Sequence, residues 1–258
     1  MGIRVSPPGT LVALVEAGSF CVSDPSGDVV DRGAGAAAGL FVGDRRVLSR
    51  LVVTVNGAPV APVDHRMDGP ASATFVGRAV AAEHPDGAAP TGTGPAGPVV
   101  VRRRLVAAGL RDEVEVRNTG PEPSYVEIEV EVASDLAPLA AARDGSLRDQ
   151  DEVEPGGSDP DEVLLVRGRG ASRIGCRVTG AGAVRPQPAT LRWEAIVPAR
   201  GRYSVTVAVA PILQGAEVVP GTLLAPGAGR SESARRLVQW HRHVPQVTIE
   251  KGANTGLA

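Results

Sequence analysis

Lysine is nearly missing from this chain: Lys251 stands alone, and arginine supplies every other basic residue. With no internal lysine there is no Gly-x4-Gly-Lys-Ser/Thr phosphate loop, and no Gly-x-Ser-x-Gly elbow is present either. Nucleotide-cradling and serine-hydrolase readings are thereby closed. Aromatic residues make up only 3%, so the interior must be built from Val, Leu, Ala and Ile, and stacking platforms for sugar rings are scarce. A net charge of −2 gives no field that would gather nucleic acid or an anionic membrane. Cysteine occurs twice, at Cys21 and Cys176, each inside an apolar alternating stretch. The pattern favours buried free thiols in a reducing cytosol over a bond between the two. The histidines His65, His84, His241 and His243 do not bring three or four ligands together as zinc requires, so no metal and no cofactor is expected. Neither a signal-peptide pattern nor a run of about 18 apolar residues occurs. The expectation is a soluble, cytoplasmic protein.

What the chain does have is alternation. Its 258 residues, 43% hydrophobic and 22% charged, are enough for a real core in one large β domain. Over Tyr125–Val132 the residues Val126, Ile128, Val130 and Val132 share one face, and Glu127, Glu129 and Glu131 the other. A strand with one dry and one wet face belongs to an antiparallel sheet. Tyr203, Val205, Val207 and Val209 repeat the pattern, as do Ile174, Cys176 and Val178, and Leu191, Trp193 and Ala195. Gly and Pro punctuate the runs: Ala-Ala-Gly-Leu-Arg-Asp between Val99–Val106 and Glu113–Arg117, Asn-Thr-Gly-Pro after Val116, and Pro-Ala-Arg-Gly after Ile196. All three read as hairpin connections. The spacing predicts roughly a dozen strands in a sandwich.

Composition marks His84–Pro98 as a surface loop, and Arg148–Glu162, with seven carboxylates, as a solvated acidic one. One helix is predicted over Ala234–His241, capped by Ser231 or Ser233 and stopped by Pro245. The fold class expected is therefore all-β, a large antiparallel β-sandwich with one C-terminal α-helix. Residues 1–229 form the sandwich domain and 230–258 a helix and tail.

The candidate polar residues lie where apolar runs break. Gly39–Leu51 (GLFVGDRRVLSRL) turns abruptly at Gly-Asp-Arg-Arg before the strand Val-Val-Thr-Val and Asn56-Gly57. Asp44 precedes Arg45 and Arg46; Asp135 follows the glutamate-alternating strand, with Arg143 eight residues on. Embedded carboxylates must be paired, since an isolated buried charge is very costly. Asp44 and Asp135 therefore read first as carboxylates satisfied by arginines or backbone amides at strand ends. A lining of a sugar-binding cleft comes second, and acid–base catalysis last.

These same blocks carry a family resemblance. Ser19-Phe20-Cys21-Val22-Ser23-Asp24 with Gly27-Asp28 comes first, then Gly39, Leu40, Phe41, Asp44, Arg46, Leu48 and Ser49 with Asn56-Gly57. Arg102-Arg103-Arg104 follows, through Gly109-Leu110 to Val116-Arg117-Asn118, and last Ser134, Asp135, Ala137 and Arg143. Together they resemble the N-terminal domain of glycogen debranching enzymes of the amylo-α-1,6-glucosidase type, over roughly residues 10 to 215. The last block departs from the family pattern: Leu136 stands for a Phe, Pro138 for an Asp, and Ala140 and Ala141 for a Phe-Glu pair. The resemblance implies a β-supersandwich that precedes an (α/α)6 toroid carrying the catalytic acids. This chain ends where such a toroid would begin. It is therefore expected to hold no catalytic residue of its own and to partner a helical glycosidase catalytic domain, in cis or in trans, and an α-glucan. Asp44, Arg46, Asp135 and Arg143 are the expected substrate-binding or structural polar cluster. The other expectation is a stand-alone carbohydrate-binding or protein-interaction sandwich.

Overall fold

The computed structural model describes residues 11–16, 18–30, 38–79, 97–146, 153–218 and 232–244. Of the residues singled out above, the tail from Lys251, Ser231, Pro245, residues 148–152 of the acidic stretch and nearly all of His84–Pro98 lie outside these residues.

Four short strands, β1 (Val12–Glu16), β2 (Ser19–Ser23), β3 (Gly39–Val42) and β4 (Arg45–Leu48), form an antiparallel sheet in sequence order. The remaining strands are β5 (Arg50–Val55), β6 (Ala58–Gly69), β7 (Ser72–Ala79), β8 (Val99–Val106), β9 (Leu110–Arg117), β10 (Ser124–Ala133), β11 (Pro155–Gly156), β12 (Glu162–Arg167), β13 (Ile174–Thr179), β14 (Val184–Gln187), β15 (Thr190–Val197), β16 (Arg202–Leu213) and β17 (Ala216–Glu217). They make one curled ladder ordered β11-β12-β13-β16-β9-β8-β7-β6-β5-β10-β15-β14, with β17 paired to β16. The ladder changes layer at β6. This strand pairs with β5 only through Ala58 and Pro59, and with β7 from Val60 to Gly69. The two layers thus share a strand. The four-stranded sheet extends the β5–β10 layer through the bridge Val29↔Leu51 and the bond from Ser49 N–H to Ala133 O.

Between the layers lies one hydrophobic core. Val126, Ile128, Val130 and Val132 of β10 are buried, and so are Val205, Val207 and Val209 of β16, Cys176 and Val178 of β13, and Leu191 and Trp193 of β15. The expected alternation is what sends them inward; each such Val, Leu or Ile contributes about 1.5–3 kcal/mol by leaving water. On the wet face the glutamates pair across strands, Glu129 with Arg192 at 2.6 Å and Glu131 with Arg50 at 2.8 Å.

Several expectations need correction. Asn-Thr-Gly-Pro and Pro-Ala-Arg-Gly are not hairpins. β10 pairs with β5 and β15, and β16 with β13 and β9, so both turns carry the chain from one layer to the other. Seventeen strands are present among the described residues rather than about a dozen, because several are two to four residues long. Part of the predicted acidic loop is structured: Pro155 and Gly156 pair with Leu165 and Leu164, and Glu162 belongs to β12. A six-residue helix, α1 (Leu139–Asp144), closed by Gly145 at φ 66, was not expected. The C-terminal helix runs Glu232–His243, slightly longer at both ends than predicted. No helix among the described residues is long and apolar enough to cross a membrane.

Candidate polar site at the β4 edge and in the core

The edge of β4 is completed by backbone alone. Arg46 N–H donates to Ala137 O and Leu139 N–H to Asp44 O, so the segment after β10 lies alongside β4 and sets the start of α1. This placement brings two of the four predicted residues together. The Arg46 guanidinium, 1% exposed, binds both carboxylate oxygens of Asp135, through Nε at 3.1 Å and through Nη2, and its Nη1 donates to Ala38 O at 3.0 Å. Asp135 Oδ1 also accepts Ala137 N–H at 3.1 Å. Bidentate pairing of this kind fixes geometry as well as charge. Gly39 makes room for it, because a Cβ there would lie 2.6 Å from Arg46 Cδ.

The other two predicted residues stay outside the cluster. Asp44, expected to be embedded, sits in the β3–β4 turn with its side chain 84% exposed and, among the described residues, Arg45 at 3.9 Å as its ionic neighbour. Arg143 lies on α1, exposed and paired with Asp144 at 2.9 Å. Beneath them is a small apolar cluster separate from the main core, in which Phe41, Ala137 and Ala142 are joined by Phe20 and Leu139. Phe20 and Phe41 stack with centroids 4.6 Å apart.

A second cluster was not foreseen. In β8 the alternation that buries Val100 and Val106 also turns Arg102 and Arg104 inward and leaves Arg103 exposed. In β9, Asp112 shares the buried face with Leu110, Val114 and Val116, directly across from Arg104. Asp112 Oδ2 receives Arg102 Nη2 at 2.7 Å and Arg104 Nη2 at 2.5 Å. Arg102 Nη1 reaches Asp28 Oδ1 at 2.5 Å and Ser26 O at 3.2 Å. The same Asp28 oxygen accepts Val53 N–H from β5, so the network spans from one layer to the other. Asp24 shapes the supporting turn by accepting Ser26 and Asp28 N–H groups. Gly27 adopts φ +86 there, packed against Phe75 and Arg102. Arg104 closes the cluster over the Phe75 ring, 5.6 Å from its centroid, with Cys21 Sγ at 3.8 Å.

Electrostatically this quartet of two arginines and two aspartates is balanced. Burial by itself would push Asp112 up, but Arg102 and then Arg104 outweigh it and hold the carboxyl at about 2, down from 3.8. Burial pushes the Cys176 thiol up to about 12, and raises Cys21 despite Arg104. Both cysteines are free and buried, as the sequence suggested. Because the folded Asp112 binds its proton more weakly than the unfolded chain does, acid destabilises the fold. The contribution, roughly 2 kcal/mol, is complete above about pH 4 and disappears as pH falls toward 2. Urea unfolding at pH 5, 4, 3 and 2 checks this. The Asp112→Asn protein should show a shallower decline, and identical declines would contradict the assignment.

The sequence did carry a signal for this cluster: Val100-Arg102-Arg104-Val106 has period two. Composition alone places Asp112 in the turn and opens the next strand at Glu113, whereas β9 begins at Leu110 and carries Asp112 on its buried face. Among the described residues no group of three His, Cys, Asp or Glu could hold a metal ion.

A family described as the N-terminal domain of (some) glycogen debranching enzymes aligns with residues 14–208, which include both arginine–aspartate clusters. No curated protein matches the chain.

Proposed function

We infer the role of this protein from one premise: the chain belongs to the family of N-terminal domains of (some) glycogen debranching enzymes. It is a non-catalytic accessory domain that packs on a helical glycosidase catalytic domain and helps to shape the cleft for an α-glucan.

The observation that carries this reading is the pairing of five inward-lying acids with arginine. Glycoside cleavage needs one carboxyl that keeps a proton near neutral pH and a second placed across the scissile bond. Here Asp28 and Asp112 are bound to Arg102, Glu115 to Arg117 and Arg103, Glu162 to Arg177, and Asp135 to Arg46. Carboxylates engaged by guanidinium groups in this way brace one strand against another, and Arg102 and Arg104 hold Asp112 well below the usual carboxylate range. The face assigned to the partner is the β3–β4 turn with α1. There Asp44, Arg45 and Arg143 form a charged rim beside the Phe20–Phe41–Leu139 cluster. Phe41 is itself buried, so the cluster holds the turn and α1 in place while the charged side chains face outward.

Incubating the purified chain with a branched α-1,6-containing glucan should release no sugar. Adding a helical debranching domain should give a stable complex that cleaves branches. Cleavage by this chain unaided would overturn the reading. Calorimetry with maltooligosaccharides separates the carbohydrate-binding alternative: the isolated chain is expected to show no binding below millimolar, and tighter binding would make it a sugar module in its own right.

A further inference from the structure

The two layer crossings meet at one end of the sandwich. The β9–β10 turn and the β15–β16 turn are bound together by Asn118 N–H to Gly201 O and Arg200 N–H to Gly120 O. Buried Asn118 locks them further: its Nδ2 donates to the carbonyls of Glu122, Val197 and Pro198, and its Oδ1 accepts Gly120 N–H. On this rigid base lies an open groove of about 560 Å³ lined by Arg117, Asn118, Thr119, Arg200, Gly201 and Arg202.

Two unfavourable features coincide there. Arg117 and Arg202 are directly opposite on β9 and β16, and like charges at facing positions destabilise a sheet. Arg200 occupies the left-handed region at φ 54 in a turn closed by Gly201 N–H to Pro198 O, a position where glycine or asparagine is the unstrained choice. Compensation from nearby acid is small. Arg117 binds Glu115 at 2.6 Å, and that carboxylate is shared with Arg103. Arg200 and Arg202 have no ion pair among the described residues. The groove therefore concentrates positive charge in a chain whose net charge is −2.

We propose that this groove is an oxyanion-binding site of the phosphate class, with Arg200 and Arg202 as its main ligands, Arg117 as a third cation, and the Thr119 hydroxyl available as a donor. Guanidinium forks fit tetrahedral oxyanions bidentately, and a bound dianion turns the repulsion between Arg117 and Arg202 into attraction. The ligand is either free phosphate or a phosphate carried as a monoester on a small molecule. The site does not depend on the accessory role argued above, and the two stand or fall separately.

Calorimetry and thermal denaturation of the full chain test it, with inorganic phosphate compared against sodium chloride at equal ionic strength. Phosphate should bind saturably and raise Tm beyond the chloride control. The double variant R200Q/R202Q should bind at least tenfold more weakly and lose that rise, while its Tm without phosphate stays equal or higher as repulsion is relieved. The variant R167Q/R169Q, which removes the same charge from another exposed segment, should bind like the parent. Repeating the titration with glucose 1-phosphate separates the sources: tighter binding than phosphate identifies a monoester, and equal or weaker binding identifies free phosphate. No saturable binding, or equal weakening in R167Q/R169Q, would overturn the proposal.

Discussion

Replacing Asp112 with alanine is expected to remove about 3–5 kcal/mol of stability, a drop of roughly 10 °C in Tm for a chain of this size. The loss arises less from the missing bonds than from what they leave behind. Arg102 and Arg104, each no more than 1% exposed, would face each other with only Asp28 to balance them. The comparison that isolates the cause is the quadruple variant Arg102→Met, Arg104→Leu, Asp112→Leu, Asp28→Asn. Exchange of a complete buried ionic set for uncharged side chains, apolar except for an asparagine that can still accept Val53 N–H, leaves no charge unpaired, so the quadruple variant should be more stable than Asp112→Ala by at least about 2 kcal/mol. Denaturant unfolding monitored by circular dichroism decides it. A single-variant loss under about 1 kcal/mol would mean that water reaches the quartet.

Arg46→Met is the second large expectation. It keeps the length of the stem but removes the two contacts to Asp135 and the one to Ala38 O. A nearly buried carboxylate is left with Ala137 N–H alone. The expected cost is about 3 kcal/mol, and it should be local before it is global. Hydrogen exchange over Ala133–Asp144 should quicken while β9 and β16 stay protected, since the bidentate side-chain link that ties this segment to β4 is lost and backbone bonds and Arg45 remain. Uniform acceleration across the chain would show instead that Arg46 supports the whole core. If the partner face includes α1, the same variant should weaken association with a helical catalytic domain more than Arg143→Ala does.

How much of this could be read from residues alone depended on the length over which a pattern persists. β10 and β16 were legible because each alternation runs for eight residues or more. The helix α1 was not, because Leu-Ala-Ala-Ala-Arg-Asp is too short to show a 3.6-residue period. Turn chemistry announced that the chain reverses after Arg117 and after Val197. It could not say whether the next strand returns to the same sheet or crosses to the facing one, because that choice is made by distant strands. Of the four polar candidates, Arg46 and Asp135 lie together at strand ends, a pairing between distant segments that sequence proximity does not show. Asp44 and Arg143 were carried along by proximity in sequence, and the local polarity does not encode that a turn and a helix point them into water.

The pairing order also bears on how the molecule is made. β9 is synthesised long before β16, the strand that completes its outer edge, and β5 long before β10. Sheets closed by such distant partners form slowly. The ionic quartet avoids that delay. Arg102, Arg104 and Asp112 belong to a single β8–β9 hairpin, and Asp28 has emerged earlier still. The most polar element of the interior can therefore neutralise itself on the nascent polypeptide, so that its charges enter the closing protein already matched.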